Sequence, residues 1–532
     1  MFADRLRWLL LGVAAVVLVV HSLAYNFVTD DAYISFVFSR NLAEHGQLAF
    51  NLGQPVEGYT NFLWTVILAL GMLLGVGPAL GSRVLGTACA LVTLYVVYRS
   101  SERALERRTA WAAVPALLLA CSAGFACWTS GGLETQLFTM LVAIAIDGVV
   151  TAELEDGRGM QRAALALALA AMTRPEGLLI AAVLGTVRLG SNVLARRWIT
   201  RRDLLAAAMF LGVWAPWFAW RWHYYGWPFP NTYYVKASGP WAAPTMPAQM
   251  AAGGRYYIWA WLTQARVLWA LPLVAIGILG AKRRTQRGVL VAVCTLLAVV
   301  YLAYAASVGG DFMGLHRFIM PVFVCVAVLA MLGMETIVRG LQHHLIAKLA
   351  AVLVIVGFAV TQLALTVEST RSCAHRVCNN DHGIDSPAFL MVYTEDRAAI
   401  GRAMASCFRA DDFSIVGGAG AQPYYGRMRG IDVFGLVSER IAHEAPRSNP
   451  RAGHTKWGSD ELLASYDPTF VFSCYTLHRD PVSPPLPCNT SFWFERGFEQ
   501  VTMHIPELAE RGEYYTFLVK KSRTFECPGL AR

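Results

Sequence analysis

Charged residues are scarce in this chain. Of its 532 residues, 15% are Asp, Glu, Lys or Arg and 56% are hydrophobic, and the mean hydropathy is +0.43. Soluble domains carry about 25% charged residues, so this composition excludes an ordinary soluble protein and predicts a polytopic membrane protein. The net charge of +9 does not indicate a nucleic-acid partner, because the arginine clusters lie between apolar runs and read as topology determinants.

Several common motifs are also missing. Gly417–Gly420 follows an expected strand, but without G-x-G-x-x-G spacing it predicts a tight turn better than a nucleotide-binding loop. Two cysteines and two histidines fall within 373–382, but their spacing matches no strong zinc signature. No internal repeat is visible, which argues against the repeat symmetry of many transporters.

Apolar runs dominate the first two-thirds of the chain, and each span needs about 20 apolar residues. Phe62–Val76 is apolar too, but if it crossed the membrane, the cationic loop Arg99–Arg108 would face outward. A helix in the outer interface is therefore expected there, and the positive-inside rule places the N-terminus inside and the C-terminus outside. About eleven spans result: 7–26, 80–98, 109–126, 133–150, 161–173, 177–192, 203–221, 266–281, 288–306, 317–335 and 349–366.

Two parts of this topology have alternatives. The N-terminal arginines and the apolar run after them resemble a signal peptide, but no convincing cleavage site precedes Asp30, so a retained first span is expected. The runs 161–173 and 177–192 could form one helix kinked at Pro175. Cationic residues on both flanks favour a hairpin with both ends cytoplasmic.

The composition becomes that of a soluble domain after residue 366. We therefore expect a membrane domain over 1–366 and an extracytoplasmic α/β domain over 367–532, which is long enough for its own core. Expected strands are Phe413–Val416, Phe470–Phe472 and Tyr515–Val519, with a helix over Glu395–Phe408.

This last third also holds six of the eleven cysteines. An even number in an extracytoplasmic domain predicts disulfides, with Cys373–Cys378 as the most local candidate pair. A zinc site on the same segment is the alternative. The other five cysteines lie in or beside apolar runs and are expected to be packing residues.

The most informative polar feature is the pair Asp30–Asp31, just beyond the first span. Charge at a membrane boundary costs free energy unless it is solvated or used, and neighbouring carboxylates raise each other's proton affinity. The pair is therefore a candidate general base, with Asp30 preferred and Asp31 orienting a substrate. The alternative is that both residues only cap a short helix.

Five further polar clusters fall on the same predicted face as the aspartate pair. Chance would divide them between the two faces. Carboxylates, amides, cations and aromatic rings gathered at one face and reached from the bilayer are typical of an active site. The clusters are 56–61, 131–135, 173–177, 231–236 and 309–317.

An ordered set of motifs carries a family resemblance over nearly the whole chain. The motifs are Asp30–Ser35, Phe50–Glu57, Gly132–Glu134, Arg174–Glu176, Gly309–Met313, Ile431–Leu436 and Gly453–Lys456. Together they resemble GT-C membrane glycosyltransferases, and among these the mycobacterial terminal β-(1→2)-arabinofuranosyltransferases. Two motifs depart from that family: Ala32 follows the aspartate pair where the family has Gly, and Gly58-Tyr59-Thr60 follows Glu57 where it has Ala-Asn-Thr.

The resemblance implies an inverting transfer of a sugar, with arabinofuranose as one candidate, from a polyprenyl-phosphate donor to a glycan or lipid acceptor. The expected place is the outer face of a bacterial inner (plasma) membrane. A divalent cation could bind the aspartate pair, but no third acidic ligand is evident nearby. The resemblance also draws attention to Asp432, His454 and Lys456 in the C-terminal domain.

Such a transfer needs cations for the departing phosphate and polar groups for the sugar and acceptor. Lys236 and Arg317 are the preferred cations, and His316 is a further candidate. Arg83 could instead extend to the interface, and Arg174 could be a structural partner of Glu176. Candidates for sugar or acceptor binding are Glu57, Tyr59, Asn61, Glu134, Asn231, Tyr233, Asp311, Asp432, His454 and Lys456.

Two other classes of protein share some of these features. A transporter or flippase of a lipid-linked saccharide would also have many spans and intramembrane charges, but its polar residues would cluster near the bilayer midplane. A membrane-anchored scaffold would not need adjacent carboxylates beside a lipid-accessible cavity. Both alternatives therefore fit the one-sided polar clusters less well.

Overall fold

A computed structural model defines the fold of this chain. The residues that it describes are 2–154, 157, 159–196, 198–236, 246–281, 285–341, 344–371, 383–508 and 512–530.

The part before residue 372 is helical. Short 3₁₀ turns, Ala110–Ala113, Val267–Ala270 and Arg317–Ile319, precede α5, α13 and α15. The helices are α1 Phe2–Leu23, α2 Asp30–His45, α3 Phe62–Leu73, α4 Pro78–Ala104, α5 Val114–Cys121, α6 Ala123–Ser130, α7 Thr135–Leu154, α8 Gly159–Thr173, α9 Glu176–Leu194, α10 Arg201–Tyr225, α11 Asn231–Lys236, α12 Met246–Gln264, α13 Leu271–Leu279, α14 Gln286–Ser307, α15 Met320–Gly340 and α16 His344–Arg371.

Eight of the described helices are long and apolar enough to cross a membrane, or ten if two bent pairs each form one span. About eleven spans were expected, and one difference is α8, which was counted as a span and has only 15 residues. The apolar helix α3 has 12 residues, which is short for a full crossing and suits the interfacial helix expected there. The chain is thus a multi-pass membrane protein, and its helical architecture is as expected.

The bent pairs were not foreseen. Residues 110–121 meet α6 at 64°, and α12 meets the segment 267–279 at 73°. Only the second half of the latter pair was expected as a span, because Gly253, Gly254 and Arg255 lower the hydropathy of α12. At the other doubtful place, α8 and α9 are separate helices that pack on each other, as in the expected hairpin.

The core of the bundle is built around α7 and α15, whose apolar windows are 89% and 94% buried. By contrast, α10 and α16 are 6% and 17% buried and lie at the periphery. Glu335 on α15 is fully buried and pairs with Arg107 at 2.8 Å and Arg287 at 3.0 Å. Arg107 belongs to the cationic loop Arg99–Arg108, and Arg287 ends a second cationic loop, Lys282–Arg287. The two arginines therefore lie at the same end of the bundle.

The C-terminal part is an α/β domain with a mixed five-stranded sheet of order β2-β1-β3-β5-β4. The parallel pairs are β1–β2 and β1–β3; the antiparallel pairs are β3–β5 and β4–β5. Its elements are α17 Pro387–Met404, β1 Ser414–Val416, α18 Ala421–Gly426, β2 Gly430–Asp432, α19 Glu439–Glu444, α20 Asp460–Ala464, β3 Phe470–His478, α21 Thr490–Glu495, β4 Phe498–His504, a 3₁₀ turn Pro506–Leu508 and β5 Tyr514–Lys520.

The three strands expected from the sequence are β1, β3 and β5. The missed ones are β2, which has only three residues, and the polar edge strand β4. Two disulfides, Cys407–Cys527 and Cys474–Cys488, stabilise this domain. The expected pair Cys373–Cys378 and the alternative zinc site fall outside the described residues.

Candidate active site

A cavity of about 440 Å³ opens where the bundle meets the C-terminal domain. Residues from all six polar clusters line it, together with Leu436, Ala452 and Gly453 of the C-terminal domain. Cavities of a few hundred Å³ are typical of small-molecule sites. The candidate residues in its wall are Asp31, Tyr59, Asn61, Glu134, Arg174, Tyr233, Lys236, Asp311 and Arg317.

The two adjacent aspartates point in different directions. Both belong to the first turn of α2, where successive side chains are rotated by about 100°. Asp31 lines the cavity, whereas Asp30 is buried and its Oδ1 accepts a hydrogen bond from Ala421 N at 2.7 Å. The preference for Asp30 as the base does not fit this geometry, because its carboxylate faces the C-terminal domain.

Burial dominates the electrostatics of both carboxyls. It raises the pKa of Asp31, an effect that the positive charges of Lys236 and Arg317 oppose. Burial also raises the pKa of Asp30 to about 6, against the hydrogen bond from Ala421. A carboxylate with raised proton affinity is a stronger base than an exposed one.

Lys236 and Arg317 are the cations that face Asp31. Arg317 Nε donates to Asp311 Oδ2 at 2.9 Å, and its guanidinium lies 5.6 Å from the Trp128 ring centre. Lys236 ends α11 and, of the cavity cations, has the larger effect on the Asp31 carboxyl. Among the residues described, no carboxylate forms an ion pair with Lys236.

Arg174 is held in a network within the cavity wall. Its Nη1 donates to Glu134 Oε1 at 2.9 Å, and its Nε donates to Glu176 Oε2 at 3.2 Å. Asn61 Nδ2 donates to the second Glu134 oxygen at 2.9 Å, and Ser35 Oγ donates to Asn61 Oδ1 at 3.0 Å. Two carboxylates already neutralise Arg174, so its geometry matches the structural alternative rather than phosphate binding.

Two of the other predicted cations lie outside the cavity wall. Arg83 donates a hydrogen bond to Asn26. His316 is buried against Tyr257, with ring centres 5.0 Å apart, and burial lowers the pKa of His316 to about 3. His316 therefore contributes no side chain to the cavity wall, and its role as a phosphate cation stays a prediction that this geometry does not support.

Glu57 and Asn231 also lie outside the wall. Arg221 Nε donates to both Glu57 oxygens at 2.9 Å, and burial raises the pKa of Glu57 to about 7. Asn231 Nδ2 donates to the carbonyls of Gly435 at 2.6 Å and Leu436 at 3.0 Å. The Asn231 contacts fix the bundle against the C-terminal domain, whereas the Glu57–Arg221 pair lies within the bundle. Neither side chain contributes to the cavity wall, and their roles in sugar binding stay predictions.

None of the three candidates in the C-terminal domain lines the cavity. Asp432 accepts from the amides of Leu436 at 3.1 Å and Val437 at 2.8 Å, and so holds the turn that reaches the wall. His454 packs between the rings of Phe312 and Phe434.

Lys456 is buried and its Nζ donates to Ala442 O at 2.5 Å. Burial lowers the pKa of Lys456 to about 8. Its ammonium is therefore committed to a backbone carbonyl within its own domain.

Sequence reasoning named Tyr59 and Tyr233 of the aromatic residues in the wall but none of the others as a candidate. Phe229, Tyr304, Phe312 and Phe318 line the cavity, but single aromatic residues are unremarkable in a chain this apolar. Within the described ranges, no group of three or more His, Cys, Asp or Glu side chains is placed to hold a metal ion.

No family model matches the chain, and no curated protein matches it in sequence. Apo ArnT from Cupriavidus metallidurans superposes with a TM-score of 0.53 at 13% identity, over 97% of this chain and 98% of that chain. ArnT bound to undecaprenyl phosphate gives 0.52 at 15% identity, over 80% and 85%. An Archaeoglobus fulgidus oligosaccharyltransferase gives 0.49 at 10% identity, over 80% and 64%.

ArnT is a member of the GT-C superfamily. At these identities the similarity defines the fold alone: this chain has a GT-C type fold with a C-terminal α/β domain. The finer resemblance to arabinofuranosyltransferases stays a prediction.

Proposed function

We propose that this protein is a glycosyltransferase that moves a sugar from a polyprenyl-phosphate donor to a hydroxyl of a glycan or lipid acceptor. The observation that carries the proposal is one cavity in which Asp31 faces the cations Lys236 and Arg317. A base opposite cations is the minimum that such a transfer requires. The undecaprenyl phosphate bound to the structurally similar ArnT supports a polyprenyl-phosphate ligand.

In the proposed step, Asp31 takes the proton of the acceptor hydroxyl. The acceptor oxygen forms a bond to the anomeric carbon while the bond from that carbon to the phosphate oxygen breaks. The polyprenyl phosphate leaves with the electron pair, and Lys236 and Arg317 stabilise its developing charge. Attack opposite the leaving group inverts the anomeric configuration.

The remaining wall suits a single sugar ring. Asn61, Glu134 and Asp311 offer polar groups for hydroxyls, and Tyr233 and Phe229 offer ring faces for stacking. The cavity of about 440 Å³ accommodates one monosaccharide with its phosphate. Arabinofuranose stays one candidate for this sugar, as the sequence resemblance implies.

The proposed location is a bacterial inner membrane, with the C-terminal domain and the cavity outside the cytoplasm. Two observations support this orientation. The disulfides Cys407–Cys527 and Cys474–Cys488 are typical of an oxidising compartment. The cationic loops that share Glu335 would then lie in the cytoplasm, as the positive-inside rule requires.

The direct test is release of polyprenyl phosphate by purified protein incubated with a panel of polyprenyl-phosphate sugars and acceptors. Asp31→Asn is expected to lower kcat by about 10²–10⁴-fold, the usual contribution of a general base. Lys456→Met, which alters a buried cation outside the cavity, is the matched control and should retain activity. Absence of release with every donor would contradict the proposal, and substrate counterflow that persists in Asp31→Asn would indicate a transporter instead.

A further inference from the structure

The Gly417–Gly420 turn has no part in the transfer chemistry proposed above, yet it touches the aspartate pair. The turn connects β1 to α18 in the C-terminal domain. The amide of Ala421, the first residue after it, donates to Asp30 Oδ1 at 2.7 Å. The C-terminal domain therefore contacts the first turn of α2, one residue before Asp31.

The contact is so close at Gly420 that it requires glycine there, whereas at Gly418 an added Cβ would meet only the movable ends of the Tyr393 and Asp30 side chains. A Cβ atom at Gly420 would lie 2.1 Å from the backbone oxygen of Asp30 and 2.5 Å from its Cγ. At Gly418 it would lie 2.9 Å from Asp30 Oδ2, whereas at Gly417 it would meet nothing within 4 Å. The side chain and the backbone of Asp30 are thus both seated on this turn.

Other groups complete the seat. The positive charge of Arg397 on α17 favours the ionised form of Asp30, and the Arg397 guanidinium is itself held over the rings of Tyr393 and Tyr475. Further along α2, Arg40 Nη1 donates to Tyr424 O at 2.7 Å. The domain therefore fixes both the start and the middle of α2.

We propose that Asp30 is a positioning residue, whose seat on the Gly417–Gly420 turn aims the neighbouring Asp31 into the cavity. The two carboxylates share one helical turn, so a displacement of Asp30 rotates or shifts Asp31. A shift of about 1 Å in a reacting group can lower a rate by about 10²-fold. The inference rests on the proposed function and gives the C-terminal domain a part in assembling the active site.

The inference predicts different losses of kcat for three aspartate variants. The losses would follow another order if Asp30 were the base or had only a structural role. Asp30→Asn keeps an oxygen that can accept from Ala421 N, so kcat should fall by less than about tenfold, the scale of one weakened hydrogen bond. Asp30→Ala removes the hydrogen-bond acceptor, so its kcat should fall further than that of Asp30→Asn. Asp31→Asn should lose far more than either, by about 10²–10⁴-fold.

Two glycines of the turn supply a matched pair of variants. Gly420→Ala should lower kcat by about 10²-fold with the KM for the donor within twofold of the wild-type value, because donor-binding groups lie elsewhere. Gly417→Ala adds the same methyl group three residues away and should leave both constants unchanged. A general loss of folded protein would also lower the apparent kcat at constant KM, so kcat is calculated per folded protein, measured by size-exclusion chromatography of each variant.

The experiment measures polyprenyl phosphate release by the full-length wild type and these five variants, together with carbodiimide labelling of each aspartate by mass spectrometry. Equal losses in Asp30→Asn and Asp31→Asn, or equal constants in Gly420→Ala and Gly417→Ala, would overturn the inference. If the wild type transfers no sugar, the proposed function fails, and the labelling rates alone then test whether the turn positions Asp31. The Asp31 labelling rate should then differ at least threefold between Gly420→Ala and Gly417→Ala, and equal rates would overturn the inference.

Discussion

Arg174 donates to Glu134 at 2.9 Å across two loops of the cavity wall. The same guanidinium pairs with Glu176 at 3.2 Å and lies between the rings of Phe138 and Phe318, 5.7 and 5.2 Å from their centres. One buried cation thus holds two buried carboxylates beside the proposed sugar site. These contacts fix Arg174 within the cavity wall and leave Lys236 as the cation proposed for the phosphate.

Replacement of Arg174 by methionine should destabilise the fold strongly. The change leaves the buried carboxylates Glu134 and Glu176 without their cation, and removal of one partner of a buried ion pair typically costs about 3–5 kcal/mol. The apparent unfolding temperature of the purified protein in detergent should fall clearly below the wild-type value.

The matched control for that variant is Arg427→Met. Arg427 pairs with Glu44 at 3.2 Å, but its side chain is 68% exposed, and exposed pairs contribute at most about 1 kcal/mol. Equal unfolding temperatures for the two variants would show that the network around Arg174 does not stabilise the cavity wall.

Lys236→Met should weaken both turnover and phosphate binding. Removal of one positioned group that stabilises developing charge typically lowers kcat by about 10²–10³-fold. Lys236→Arg retains the charge and should keep much of the activity. Steady-state kinetics and binding of undecaprenyl phosphate check both expectations, and wild-type affinity for that ligand in Lys236→Met would remove Lys236 from the phosphate site.

The membrane helices were largely predictable, because long apolar runs report directly on burial in a bilayer. The helix breaks were not. Gln362 on α16 donates to Ala265 O at 2.8 Å and accepts from Ala123 N at 3.0 Å, so one side chain satisfies backbone groups at both breaks. Such a contact joins residues 97 and 239 positions apart and leaves no local pattern in the sequence.

For the candidate site, the sequence predicted which clusters contribute to it but not the role of each residue. Charge bias in the loops assigned the polar clusters to one face, and all of them contribute to the cavity wall. The roles within each cluster depend on distant partners. Asp30 and Asp31 are indistinguishable in sequence, and only Ala421, 391 residues further along the chain, separates them.

Opening the disulfides should affect the C-terminal domain. Cys407–Cys527 closes a loop of 120 residues, and loss of such a bond costs about 2–5 kcal/mol. Cys407→Ser should therefore lower the apparent unfolding temperature, whereas Cys121→Ser, at a free cysteine of the bundle, should change it little. Maleimide–polyethylene glycol labelling of unreduced protein from membranes checks the bond; two additional reactive thiols at these positions in the wild type would contradict it.

The pH dependence of transfer should report the ionisation of Asp31. A base must be deprotonated to act, so kcat/KM should fall as the pH drops through the pKa of Asp31. Burial raises that pKa, so the acidic limb should lie above the range of an exposed aspartate, about 3.9.

Lys236 makes this expectation specific. Its positive charge opposes the rise in the Asp31 pKa. Removing that charge in Lys236→Met should raise the Asp31 pKa further, so the acidic limb of the residual activity should lie at a higher pH than in the wild type. Lys456→Met should leave the limb in place, because Lys456 lies outside the cavity. Profiles of kcat/KM between about pH 4 and 8 separate these outcomes. A limb that moves in Lys456→Met but not in Lys236→Met would show that Asp31 is not the group whose ionisation limits transfer.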